Sequence, residues 1–330
     1  MNRRSLLATL PALAACTPLV MPAGPPRLTP AVEGDHLVMA DGAELPLRRW
    51  LPVGEPSAVI LGLHGFGEYA RSFLADPAPL FTAQGVALYG IDQRGFGAAP
   101  NRGYWAGVET LAADAATACA LLRARHPGLP LVLMGESMGG AVGMVAAARG
   151  DLAVDAMVLL APAIWGRNTM PGILRVFLDI AAFMVPRWGF RNSFGGITPT
   201  NNDAALRRWS RDPLILRETR VDTAIGLIDL MDAAVAAAPH LGVYGKPMLI
   251  LYGGKDQLIP AGPTRTVLHS LPETAPATLG FYPEGYHQLL RDEGSVVVVH
   301  DILAWLAAPR APLPSGAQTA AARWLARATG

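Results

Sequence analysis

Three side chains in this sequence have the types and settings that acyl transfer requires: Ser137, Asp256 and His287. Ser137 is the centre of Gly135-Glu136-Ser137-Met138-Gly139-Gly140, preceded by the apolar run 131–134 and followed by the small-residue run 141–148. The first run reads as a buried parallel strand and the second as a helix. The serine then sits on a tight strand-to-helix turn, with Oγ lifted clear of the backbone and a helix N-terminus beneath it. Gly135 and Gly139 are expected where a side chain would collide with the neighbouring strand or helix. A hydroxyl is a poor nucleophile near neutral pH. It needs a base within hydrogen-bond reach, and the base needs a carboxylate to fix its tautomer and stabilise the imidazolium. Asp256 follows an apolar strand in Tyr252-Gly253-Gly254-Lys255-Asp256, and His287 follows the next strand in Glu284-Gly285-Tyr286-His287. The chain order Ser, Asp, His is the one found with such strand–turn–helix serines. His36, His126, His240, His269 and His300 fall in strand, turn or helix settings that need no catalytic role.

A tetrahedral intermediate carries an oxyanion, so preorganised donors are also required. One is expected from the backbone N–H of Met138, directly after the nucleophile. The other is expected from the N–H of Phe66 in His64-Gly65-Phe66-Gly67-Glu68, where two glycines permit close approach. His64 and Glu68 are expected to brace that loop. No His/Cys/Asp cluster with metal-ligand spacing accompanies His64, so neither a metal nor a cofactor is expected.

The elements that must position these groups alternate between strand and helix. Asp41-Gly42 marks a hairpin between segments 36–40 and 44–52. Strands are predicted over 58–63, 86–91, 131–134, 157–161, 248–252 and 277–282. Helices are predicted over 71–84, 108–125, 263–270 and 296–306. This pattern implies a mostly parallel central sheet with helices on both faces. Between residues 163 and 241 the alternation breaks down into the helical segments 173–185, 203–209 and 221–238. That insertion reads as a helical cap over the carboxyl edge of the sheet, where such folds bind their ligands. The core is thus divided into 35–162 and 242–307, and residues 308–330 read as a Pro-rich C-terminal tail. A small helix over 319–328 has no role that the sequence reveals.

The 330 residues are 51% hydrophobic and 16% charged with a net charge of +1, which suggests neither disorder nor a nucleic-acid partner. The N-terminus carries Asn2-Arg3-Arg4-Ser5, an apolar run over 6–15 and then Leu13-Ala14-Ala15-Cys16, which resembles a bacterial lipobox. Residues 1–15 read as a signal peptide and Cys16 as the lipidated residue. Residues 16–34, with prolines at 18, 22, 25, 26 and 30, read as a tether that holds the domain off a membrane. Thr17 after the cysteine directs the expectation to the outer membrane, facing the periplasm. An ordinary cleaved signal would make the protein periplasmic or secreted. Arg3-Arg4 loosely resembles a twin-arginine signal. Cys119, the other cysteine, reads as a small buried residue.

The motifs around residues 64–68, 135–140, 252–256 and 286–287, together with Asp92-Gln93-Arg94-Gly95-Phe96-Gly97, occur in a single order. In that order they resemble the monoacylglycerol lipase/lysophospholipase branch of the α/β-hydrolases, as does the cap segment Ser210-Arg211-Asp212-Pro213-Leu214. The resemblance runs from about Asp35 to Leu306. It implies an α/β-hydrolase fold and a serine ester hydrolase acting on lipid-like monoesters, with Ser137, Asp256 and His287 as its triad. Two departures stand out. Phe66 occupies a position where relatives often carry a smaller residue, which would narrow the pocket. Glu136 stands where some relatives have histidine, and is expected to change little.

In the cap, Ile173, Leu174, Val176, Phe177, Leu178, Ile180, Phe183, Met184 and Val185 make a helix apolar nearly all round, suited to burial, a lipid substrate or a membrane surface. The partners expected are a small lipid or ester substrate and a membrane, reached through the anchor and the cap. Two further readings keep the fold. One is an aminopeptidase of the proline-iminopeptidase type, with Glu218, Asp222, Asp229 or Asp232 binding the substrate amine, or an acyltransferase. The other is a non-catalytic envelope lipoprotein.

Overall fold

The computed structural model describes residues 18–150, 152–191 and 196–327. The expected signal peptide and Cys16 lie outside them. In chain order the elements begin with β1 (Ala31–Glu33), β2 (His36–Val38), β3 (Glu44–Trp50), β4 (Ala58–Leu63), α1 (Ala70–Leu74), α2 (Ala78–Thr82) and β5 (Val86–Ile91). Next come α3 (Val108–Arg125), β6 (Leu131–Glu136), α4 (Met138–Ala148) and β7 (Ala156–Leu160). Then follow α5 (Gly172–Met184), β8 (Gly189–Arg191), α6 (Asp203–Arg211), β9 (Glu218–Arg220) and α7 (Val221–Ala237). The chain closes with β10 (Met248–Gly253), α8 (Ala261–His269), β11 (Ala277–Tyr282), α9 (Ser295–Ala307) and α10 (Ala317–Leu325).

Nine strands form one sheet in the order β1-β2-β3-β5-β4-β6-β7-β10-β11. From β5 to β11 every pairing is parallel, while β1, β2 and β3 add antiparallel strands at one edge. The parallel strands are apolar on both faces because helices cover both. Leu61, Leu63, Leu131 and Leu133 face the core shared with α3, α4 and α7. Ile60, Leu88, Val132 and Met134 face the core shared with α1, α2 and α9. The chain runs from β4 to β5 on one side and then crosses to β6 on the other. The carboxyl ends of β4 and β6 therefore meet where the strand order reverses, the crevice in which open α/β sheets bind ligands.

Three expected boundaries are corrected. The described part of the 16–34 tether does not hang free. Val20 bridges to Trp105, Met21 N donates to Trp105 O (2.7 Å), Arg27 N donates to Ala40 O (2.6 Å), and 31–33 is the edge strand β1. Its prolines remove some donors, but the N–H groups of Leu19, Met21, Ala23, Gly24, Arg27 and Leu28 find acceptors on the body. Second, the cap is shorter than 163–241. Helix α7 packs on the elbow helix α4 and on Trp105, and a Cβ on Gly226 would lie 2.3 Å from the indole. Its small face makes α7 a core helix, so the cap proper ends at β9. Third, the C-terminal segment is not a bare tail: α10 packs on β11, with the Trp324 ring stacked on Phe281 at 4.7 Å and on Tyr252 at 5.8 Å. The predicted helix 71–84 is broken into α1 and α2, with Pro77 as the cap of the second.

The cap comprises α5, the β8–β9 ribbon and α6. Helix α5 has no buried residue. Leu174 and Leu178, one turn apart, pack on the body, while Ile173, Val176, Phe177, Ile180, Phe183 and Met184 are exposed. Among the described residues no helix is long and apolar enough to cross a membrane.

Candidate active site

Ser137 stands between β6 and α4 with φ +53° and ψ −114°, a backbone conformation that non-glycine residues rarely adopt. The turn is held from outside: Ser137 N donates to Leu160 O (2.9 Å), and Ser137 O accepts from Ala141 N and Ala163 N (3.0 Å each). The flanking glycines are steric necessities, because a Cβ on Gly135 would lie 2.4 Å from Gly139 O and one on Gly139 would lie 2.1 Å from Leu63 O. Met138 follows as the first residue of α4, so its N–H is one of the donors a helix leaves without an internal partner.

Asp256 and His287 come from the loops after β10 and β11. Asp256 Oδ1 accepts from Leu258 N (2.8 Å) and Ile259 N (3.1 Å), which leaves Oδ2 to meet His287 Nδ1 at 2.8 Å. This bond makes Nδ1 the protonated nitrogen and turns Nε2 away from the carboxylate as an acceptor. Both side chains are buried. Burial alone would pull the imidazole pKa down, but the charge and hydrogen bond of Asp256, then the charges of Glu136 and Glu68, carry it above its ordinary value. The loops meet so closely that a Cβ on Gly253 would lie 2.3 Å from Tyr286 O. The structure thus joins Asp256 to His287 directly. Among the described residues no hydrogen bond joins Ser137 Oγ to His287, and the serine stands at the end of β6, two strands from β10.

Phe66 lies in the loop after β4, next to the serine: a Cβ on Gly65 would stand 3.5 Å from Ser137 Cβ. The loop is braced on both sides. His64 is fully buried; its Nδ1 donates to Gly65 O (2.8 Å) and its Nε2 accepts from Gln93 N (3.0 Å). Burial keeps that imidazole below the usual histidine range and hence neutral. From the cap, Leu216 N donates to Gly67 O (2.8 Å) and Asp212 accepts from Tyr69 OH (2.6 Å). Residues 212–216 therefore latch the cap to the loop after β4. The Phe66 ring leans edge-on against Phe96 at 5.3 Å.

Sequence reasoning expected Glu68 to brace the loop but missed Arg291 and the burial of Glu136 beside it. Glu136 does change something: it is 1% exposed and ion-paired with Arg291. Burial pushes its carboxyl up to about 7, against the pull of Arg291. Arg291 also holds Glu68 at 2.6 Å. The only available signal was a charged pair, Arg291-Asp292, four residues after the histidine, which reads as an ordinary helix entrance.

Residues 54–294 match the Hydrolase_4 family model, described as serine aminopeptidase, S33. The chain belongs to that family. It is similar to a monoacylglycerol lipase of Mycolicibacterium smegmatis, 26% identical over 266 residues covering 78% of this chain and 90% of the relative. It is also similar to human monoglyceride lipase, 28% identical over 288 residues covering 85% and 92%. A crystal structure of a Paleococcus ferrophilus monoacylglycerol lipase superposes with a TM-score of 0.66 at 22% identity, covering 80% of this chain and 99% of that one. The fold is the α/β-hydrolase fold. An aminopeptidase would need a free carboxylate for the substrate's ammonium group. Of the four acids named for that role, Asp222 is held by Arg220 and by Leu19 N, Asp229 and Asp232 are held by Arg167, and Glu218 is exposed in β9.

Proposed function

We propose that this α/β-hydrolase, a carboxylic ester hydrolase, cleaves fatty acyl monoesters through a Ser137–His287–Asp256 triad. The observation that carries the reading is the 2.8 Å His287–Asp256 hydrogen bond, which presents a correctly tautomerised base at the sheet edge that bears a serine on a strained elbow. Ser137 Oγ attacks the ester carbonyl while His287 Nε2 takes its proton. The N–H groups of Phe66 and Met138 receive the oxyanion. His287 then protonates the departing alcohol, and Asp256 stabilises the imidazolium meanwhile. Water, deprotonated by the same nitrogen, attacks the acyl-enzyme and releases the acid and the free serine.

The acyl preference rests on the cap. Six large apolar side chains of α5 face outward, and Phe177 is 65% and Phe183 72% exposed. A helix with that face suits a lipid surface or an acyl chain. The test is a panel of monoacylglycerol, lysophospholipid, short- and long-chain p-nitrophenyl esters and an aminoacyl amide. Ester activity rising with chain length is expected, with the amide inert. Phe177→Ser with Phe183→Ser should lower long-chain activity by about 10-fold while short-chain activity is kept. Equal loss on both chain lengths would remove the cap from substrate selection, and preference for the amide would favour the aminopeptidase.

The same face suits the proposed anchor at Cys16, which would hold the protein at the bacterial envelope, on the outer membrane. Leu19 N is bound to Asp222 Oδ2 (3.0 Å). Asp222 N donates to Pro186 O (2.8 Å) and Val221 N to Trp188 O (2.9 Å), at the end of the exposed apolar stretch. The chain from Cys16 to Leu19 spans at most ~11 Å, so acyl chains on Cys16 would enter a bilayer on the cap side. Cys16→Ser is expected to move the protein from the membrane to the soluble fraction; unchanged fractionation would sink the anchor.

A further inference from the structure

Arg291 is 4% exposed, and its guanidinium is shared between two carboxylates that are themselves buried. Nη1 donates to Glu68 Oε1 (2.6 Å) and to Ser72 O (3.3 Å), and Nη2 donates to Glu136 Oε2. Gln288 Nε2 adds a second bond to Glu68 Oε1 (3.0 Å). Each partner sits on a different loop of the site. Glu68 lies two residues beyond Phe66, in a turn closed by Glu68 N donating to Gly65 O (3.3 Å). Glu136 is bonded directly to Ser137 in the chain. Gln288 and Arg291 follow His287. Gly65 lies over the whole group: a Cβ there would be 3.5 Å from Glu68 Oε2 and from Ser137 Cβ, and 3.8 Å from Glu136 Oε2.

We propose that Arg291 is a positioning residue for the reaction, its planar fork locking the oxyanion loop, the nucleophile elbow and the histidine loop into one register. The inference rests on the ester-hydrolase reading above. Stability alone gives no reason for the arrangement. Two carboxylates share one cation, and Glu68 Oε2, Glu136 Oε1 and Arg291 Nε have no hydrogen-bond partner. Buried ion pairs seldom stabilise more than apolar side chains of the same volume. Geometry is what the fork supplies: two donors in a rigid plane, aimed at two loops, from a third. An error of about 1 Å in such a register costs on the order of 100-fold in rate. The surplus negative charge has an electrostatic effect as well. Arg291, Glu68, His287 and Asp292 all act on Glu136, and the charges of Glu136 and Glu68 in turn raise the pKa of His287.

Arg291→Lys separates the two contributions, because lysine keeps the charge and loses the fork. The expected result is a kcat on p-nitrophenyl esters lower by about 10-fold or more, with KM within about threefold. The acid limb of the pH profile should stay in place, since the charge is retained. Labelling of Ser137 by a fluorophosphonate should slow in parallel with kcat. Wild-type kcat and labelling in this variant, or a shifted acid limb with kcat otherwise unchanged, would overturn the proposal. A second protein, Glu68→Gln/Glu136→Gln/Arg291→Met, leaves no unpaired buried charge among the three and guards against misfolding. With wild-type circular dichroism and Tm it should show the same loss of kcat; full activity would overturn the fork. Wild type and Ser137→Ala on the same esters test the hydrolase reading separately. An active wild type beside an equally active Arg291→Lys removes only the positioning role. A wild type inert on every ester removes the hydrolase reading, and the labelling rates still decide whether the fork sets the loop geometry.

Discussion

Ser137→Ala is expected to lower kcat for every ester by about 10⁴–10⁶-fold while leaving the fold intact. The elbow explains both halves of that statement. In the proposed mechanism the hydroxyl forms the acyl-enzyme, so its removal would delete the covalent route and leave only binding and the proposed oxyanion donors to assist water. The backbone at φ +53° is held by bonds from Leu160, Ala141 and Ala163 that alanine makes equally well. Alanine is as strained there as serine, so Tm should change by no more than about 2 °C. Loss of fluorophosphonate labelling in the same variant identifies the nucleophile. A variant that keeps activity within about 10-fold of wild type would place the nucleophile elsewhere.

The second large effect is expected from Asp256→Asn, with kcat lower by about 10⁴-fold. Asparagine offers an N–H to His287 Nδ1 in place of a lone pair, which favours the tautomer whose Nε2 already carries a proton. That nitrogen then cannot accept one from Ser137. The pH profile gives an independent check. If His287 is the base, it must be neutral to act, so activity is expected to fall as pH drops through its pKa. In the wild type, burial lowers that pKa, but the Asp256 charge and hydrogen bond, with Glu136 and Glu68 behind them, bring it above the ordinary value of 6.5. The wild-type acid limb is therefore expected at a higher pH than an ordinary histidine would give. Removing the Asp256 charge leaves burial less opposed and moves the limb to lower pH. A limb that stays where it was would remove Asp256 as the partner of His287.

The two variants probe different consequences of one arrangement. Ser137 depends on a local turn, and its effect is on the reacting atom. Asp256 acts only through His287, across a separation of 31 residues in the chain, and its effect is on tautomer and charge. The positioning role proposed for Arg291 would extend the same logic outward to the loops that carry Phe66, Ser137 and His287.

The elbow was legible in the sequence because its cause is local. Gly135 and Gly139 flank the serine within a few residues, and the sterics that exclude a Cβ there arise from the same strand–turn–helix unit and the strand beside it. Strands 58–63, 86–91 and 248–252 were legible for a related reason: parallel strands covered on both faces are apolar at successive positions. The Asp256–His287 pair was legible through chain order and strand ends. What could not be read depends on which distant segments come to share a surface. Arg291 meets Glu136 across 155 residues and Glu68 across 223. Nothing near any of the three marks it as buried, since charged residues beside loops are usually solvated. The Pro-rich 16–34 segment reads as a tether because its composition lacks a periodic apolar face, yet its free N–H groups and Val20 find partners supplied by Trp105 and Asp222. Residues 221–238 look like more cap because they follow the cap, and only the packing of a small-residue face against the elbow helix returns them to the core. Trp324 looked like part of a tail until β11 offered the aromatic face of Phe281. The sequence by itself determined the serine elbow, the order of the acid and the histidine at the strand ends, and the sheet that carries them, because these follow from short-range sterics and hydrophobic pattern. The tertiary structure alone decided the buried clamp, the latch from the cap and the limits of the core, because those are set by contacts whose free energy depends on what the rest of the fold has already brought near.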